Sequence, residues 1–151
     1  MALVIGVNDA HYHLERFVAA QESVYPQVLE ELRSGSKRSH WMWFIFPQLA
    51  GLGRSETARY YAIQSLDEAR AYLAHPLLGA RLRECVAILS GLEGRTAEDI
   101  FGYPDVLKLH SSLTLFELAC DDDLFTQALE RYYDGSRDES TLRLSQGYPH
   151  L

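Results

Sequence analysis

Apolar side chains recur at intervals of three and four along most of the chain, and that spacing limits what it can fold into more than any other feature. From His13 to Arg33 the positions Leu14, Phe17, Val18, Gln21, Tyr25, Val28, Leu29 and Leu32 share one helical face, with Gln21 the one polar member and Ser34-Gly35 as a stop. The spacing predicts one long helix, bent or split at Pro26. A second helical run opens near Ser55 and continues to about Gln64. Ser65 with Glu68 reads as a capping box for a third, which ends before His75-Pro76. The fourth runs from Pro76 to Gly91 with Leu78, Leu82, Cys85, Val86 and Leu89 on one face, and Thr96 to Gly102 gives a short helical turn. Pro104 opens a helix with Leu109, Leu113, Phe116 and Cys120 aligned, Asp121 to Tyr133 forms another, and a last short piece holds Leu142 and Leu144. No repeat or long linker divides these elements. The expected architecture is all-α, or nearly so: a compact single-domain bundle of six to eight helices over residues 13–145, with an N-terminal segment 1–12 and a tail 146–151 outside it.

The chain has 151 residues, 47% of them hydrophobic and 23% charged, enough to bury a core without a metal or disulfide staple. Its net charge of −7 argues against wholesale binding to duplex nucleic acid or an anionic membrane, which relies on clustered Lys and Arg. Cys85 and Cys120 sit in helical segments without metal-like spacing and read as buried thiols in a reducing cytoplasm. The start lacks a basic region and no stretch approaches the ~20 apolar residues of a membrane span, so a cytoplasmic location is expected.

One segment escapes the periodicity. Trp41-Met42-Trp43-Phe44-Ile45-Phe46 is apolar throughout, holds both tryptophans and is closed by Pro47. It reads as a short buried strand or an extended loop threading the core. Polar and flexible residues crowd both its ends: Lys37, Arg38, Ser39 and His40 before it, and Gln48 with Gly51, Gly53, Arg54 and Ser55 after it. Glycines at the entrance to a helix let backbone N–H groups approach a phosphate or carboxylate, Arg54 can clamp the anion, and Ser55 can cap the helix or donate to the ligand. Beside two tryptophans and Lys37, this supplies what a nucleotide needs, positive groups for phosphate and flat apolar faces for a base. Core filling remains the competing role for the tryptophans.

Asp105 and Lys108 lie three apart at the start of the Pro104 helix, followed a turn later by Ser111 and Ser112. The pair reads as a general base with a tuning cation, or as a surface ion pair; the serines either admit a neighbouring helix or line a polar pocket. The histidines, His11, His13, His40, His75, His110 and His150, have no metal-binding spacing, and no GxSxG motif occurs. No metal and no cofactor is expected. Asp121-Asp122-Asp123 reads as a helix cap.

The string Lys37 to Gln48, with Gly51-Leu52-Gly53-Arg54-Ser55 and Tyr61-Ala62-Ile63, resembles a small, mostly bacterial family of uncharacterised helical proteins, some mislabelled calpastatin. Arg16-Phe17-Val18, the stretch His75 to Leu82, Ile100-Phe101-Gly102, Pro104-Asp105 and Lys108 to Phe116 fit the same family, so the resemblance spans about Leu14 to Leu144. It implies a single helical domain and names no activity. More remotely, the layout is similar to the NADAR superfamily, which acts on NAD- and ADP-ribose-related compounds and includes enzymes cleaving N-glycosidic bonds; none of its catalytic residues is carried over.

The expectation is a cytosolic enzyme that binds a phosphorylated nucleoside or ADP-ribose-like molecule and hydrolyses its C–N glycosidic bond. Asp105 would activate water or stabilise an oxocarbenium-like centre, with Lys108 as modulator and His40 protonating the leaving base. Gly51, Gly53, Arg54 and Ser55 would hold phosphate and Trp41 or Trp43 would stack, with Lys37, Gln48, Ser111 and Ser112 completing the ligand site. The rival is a non-enzymatic ligand-sensing or protein-interaction module. A third reading, single-stranded nucleic-acid binding, requires a positive groove at Lys37, Arg38 and Arg54.

Overall fold

The computed structural model describes residues 11–147, so the expectations for residues 1–10, for His150 and for the rest of the 148–151 tail lie outside the described residues. Among the described residues there are ten helices, more than the six to eight expected: α1 Glu15–Gln21, α2 Tyr25–Ser34, α3 Met42–Ile45, α4 Glu56–Tyr60, α5 Leu66–Ala74, α6 Leu78–Gly91, α7 Ala97–Phe101, α8 Asp105–Ala119, α9 Asp123–Tyr133 and α10 Glu139–Ser145. No strand occurs among them, and a lone parallel bridge joins Leu49 to Ile63. The fold is all-α.

Two local readings need correction. The first long helix breaks between Gln21 and Tyr25 rather than at Pro26. Proline sits in the first turn of α2, where its missing N–H leaves no helical bond unmade, and α2 ends at Gly35, whose φ of 70° lets its N–H return to the α2 carbonyls. The aromatic segment is not extended either: it winds into α3, one short helical turn. Trp41, Met42, Ile45 and Phe46 are buried while Trp43 and Phe44 are half-buried. That inner set has helical spacing, but the half-buried positions are aromatic too, so the sequence conceals the period.

Helix α8 forms the centre, lying against α5, α7, α9 and α10, while α6 packs on α2, α5 and α9, and α1 on α3. Accordingly Leu109 and every residue from Ser111 to Phe116 are buried, as expected for a helix covered on most sides. Around it Phe17, Trp41, Phe46, Tyr72, Phe116 and Phe125 fill the core. The polar member of the α1 stripe, Gln21, is buried and donates to the Phe44 carbonyl at 2.8 Å and the Tyr72 hydroxyl at 3.1 Å.

Only half of the expected capping box at α5 forms. Ser65 accepts the Glu68 N–H, but the Glu68 carboxylate turns to the Gln64 N–H and to Arg16. Asp122 caps α9 through the Leu124 N–H. At the corner between α5 and α6, His75 Nδ1 accepts the N–H groups of Leu77 and Leu78 at 3.1 and 3.2 Å. The corner is tight because Gly79 lies against the end of α5: a Cβ there would stand 2.0 Å from the Leu73 carbonyl oxygen. Gly79→Ala is therefore expected to cost about 2–3 kcal/mol by overpacking against backbone. The check is a urea midpoint that falls with unchanged slope.

Candidate functional site

The loop between α2 and α3 is built on a buried carboxylate. Glu31 is fully buried, and its Oε1 accepts the backbone N–H groups of Arg38 (2.8 Å) and Ser39 (3.0 Å) and the indole N–H of Trp41 (3.0 Å). Its Oε2 accepts the Ser39 hydroxyl at 2.6 Å and the Gln27 amide at 2.7 Å. Burial pushes the Glu31 carboxyl up, but the Ser39, Arg38, Gln27 and Trp41 donors outweigh it and hold the group down at about 2. This staple, with the Lys37 N–H on the Ile100 carbonyl at 2.7 Å, fixes where Lys37 stands.

From Lys37 a run of alternating charges and rings leads outward. The Lys37 ammonium lies 4.9 Å from the Trp41 ring centroid and 2.8 Å from Asp105 Oδ2. Asp105 Oδ1 is 3.3 Å from the Lys108 ammonium, which in turn sits 3.7 Å from the centroid of Trp43. The two lysines differ in commitment. The Lys37 side chain is 8% exposed, so detaching it would strand a buried charge. Lys108 is 20% exposed; its helical ion pair is worth about 0.2–0.5 kcal/mol and its contact with the ring about 0.5–1 kcal/mol.

Beyond Lys108 opens a hollow of about 300 Å³ walled by Trp43, Gln48, Gly53, Lys108, Ser111 and Asp138. Gly53 is required there, because a Cβ on it would stand 2.5 Å from Ala58 Cβ. Asp138 is the N-cap of α10. Its Oδ2 accepts the Thr141 N–H (3.0 Å) and hydroxyl (2.6 Å) and the Ser111 hydroxyl (3.2 Å). Neither its Oδ1 nor the Gln48 side-chain amide has a protein partner among the described residues. His110 also borders the hollow, stacked on Tyr133 at 4.2 Å, with Nε2 2.8 Å from the Ser136 carbonyl oxygen.

Trp43, Gln48, Gly53, Lys108 and Ser111, all singled out in the sequence, therefore come together on one hollow, with Asp105 and Lys37 behind it. The remaining candidates do not line it. Trp41 is 1% exposed and commits its indole N–H to Glu31, so it has no face to offer a ligand. Ser112 is fully buried with its hydroxyl unpartnered among the described residues. The glycine turn has structural roles. Gly51 packs beside Leu144, the Ser55 hydroxyl accepts the Ala58 N–H, Glu56 adds negative charge to the first turn, and α4 has only five residues. Arg54 and His40 are exposed away from the hollow. Each Asp105 oxygen faces an ammonium group, Oδ2 that of Lys37 and Oδ1 that of Lys108. Of the cations that a groove for single-stranded nucleic acid would use, Lys37 is turned to Asp105 and Arg38 lies 3.5 Å from Glu30.

Sequence reasoning missed Asp138 and His110 as wall residues. The Asp138 to Thr141 spacing is a readable cap signal, but nothing local reveals that the cap faces α8. Among the described residues no group of three or more His, Cys, Asp or Glu side chains could hold a metal ion, and no helix is long and apolar enough to cross a membrane.

No curated protein matches the chain. Among solved structures it is similar to the conserved hypothetical protein Rv1873 from Mycobacterium tuberculosis, at 54% identity over 88% of this chain and 96% of that one, with a TM-score of 0.87. Neither that match nor the family match carries the calpastatin label or a NADAR relative. The family described as protein of unknown function, DUF1810, matches residues 11–145, which contain all ten helices, and the chain belongs to that family.

Proposed function

We propose that the protein binds a small phosphorylated, nucleoside-like molecule in the hollow beside Trp43, and holds it rather than cleaves it. The reading rests on one observation: an aromatic wall, an unpartnered amide and a loosely held cation reach the same hollow from two segments distant in the chain, as Trp43 with Gln48 and Lys108. A ring on Trp43, a base edge or amide on Gln48, a sugar hydroxyl on Asp138 Oδ1 and phosphate on Lys108 would use each group for what its chemistry offers. A volume of about 300 Å³ stands at the foot of the range for ligand pockets and suits a mononucleotide better than a whole ADP-ribose. N-glycosidic hydrolysis has weaker support, since Asp105 is held by two lysines and His40 stands away from the hollow.

The tryptophans make the test specific. Titration with a panel of ribonucleoside monophosphates is expected to change indole emission saturably in the wild type. The response should vanish in Trp43→Phe, which leaves Trp41 in the core. Flat wild-type emission across the panel, or a saturable response that survives Trp43→Phe, would overturn the reading.

A further inference from the structure

We propose that Lys108 is the specificity-determining residue of this hollow, exchanging Trp43 and Asp105 for the phosphate of the ligand so that a phosphorylated guest alone readily uncovers the aromatic wall. The proposal rests on the hollow being the binding site. Its starting point is a steric conflict: the Lys108 ammonium lies 3.7 Å from the Trp43 ring centroid, where the plane of a stacked ligand would have to lie. Ring and ammonium cannot share that face.

What makes the exchange feasible is the second lysine. When Lys108 leaves, Asp105 keeps Lys37 at 2.8 Å, so no carboxylate is stranded. Lys108 gives up a longer ion pair of 3.3 Å and a ring contact, both at a partly exposed side chain. A phosphate offers shorter charge-assisted hydrogen bonds in return. An unphosphorylated nucleoside offers nothing and must compete with the cation for the ring. Lysine suits the task, because its flexible stem carries a compact charge with three donors from one partner to another.

The test compares AMP with adenosine by calorimetric titration of the full chain, in the wild type, Lys108→Met and Lys108→Arg, with thermal melts confirming that each variant folds. In the wild type AMP is expected to bind about tenfold or more tighter than adenosine. Lys108→Met should weaken AMP by about that factor while adenosine tightens, collapsing the preference; Lys108→Arg should retain it. Equal weakening of both ligands in Lys108→Met, or an AMP preference that survives it, would overturn the role of Lys108 and leave the site standing. A wild type that binds neither compound would remove the site and the proposal together.

Discussion

Glu31→Ala is expected to destabilise the protein by about 3–5 kcal/mol, a large share of the 5–15 kcal/mol that holds a typical domain together. Glu31 is fully buried, and its removal leaves the Trp41 indole, the Arg38 and Ser39 backbone N–H groups, the Ser39 hydroxyl and the Gln27 amide without their acceptor. Each buried orphan costs about 1–3 kcal/mol, reduced where water can reach it. The same carboxylate sets a pH dependence. Its value of about 2 lies below the ordinary 4.5, so the unfolded chain binds the proton more readily than the folded one. The stability it contributes is complete above pH 4.5 and is lost as pH falls toward 2. Melting temperature followed over that window should drop less steeply in Glu31→Gln than in the wild type. Parallel curves, or a Glu31→Ala variant as stable as the wild type, would refute the assignment.

Arg16→Met is expected to cost a similar amount, about 3–5 kcal/mol, because it strands a buried charge. The Arg16 guanidinium donates to the carbonyls of Tyr12, His13 and Tyr60 at 2.7 Å, to that of Ala62 at 2.9 Å and to Glu68 Oε2 at 2.8 Å. The Glu68 side chain is only 2% exposed and would keep a single donor, the Gln64 N–H. At this size the loss corresponds to a fall in melting temperature on the order of 10 °C. Arg16→Lys should not rescue it, since an ammonium cannot reproduce the planar fork. Combining Arg16→Met with Glu68→Met should recover part of the loss, because an apolar pair in place of a buried ion pair is often neutral. Simple additivity of the two substitutions would show that the ion pair is not what matters.

The helical class and most helix positions were legible because Leu78, Leu82, Cys85 and Leu89, or Leu109, Leu113 and Phe116, repeat on one face and are buried. What stayed hidden was hidden for physical reasons. In Trp41 to Phe46 every position is apolar, so no contrast marks the inner face of α3. Glu31 lies three residues after Val28 on the inward face of α2, a charge where an apolar residue is expected, and that misfit was the available sign of its burial. For Arg16 and Glu68, separated by three intervening helices, the sequence offers no comparable sign. At the candidate site, Trp43, Gln48 and Lys108 could be named from residue type alone. That Trp41 is shut away, that Asp105 is held on both sides and that Asp138 closes the wall depend on tertiary packing.

Because α3 is a single turn with Trp41 rooted in the interior and Trp43 at the rim, one short element joins the Glu31 staple to the wall of the surface recess. Were the recess to hold a ligand that only the folded chain binds, heat tolerance of the whole domain would rise with that ligand's concentration.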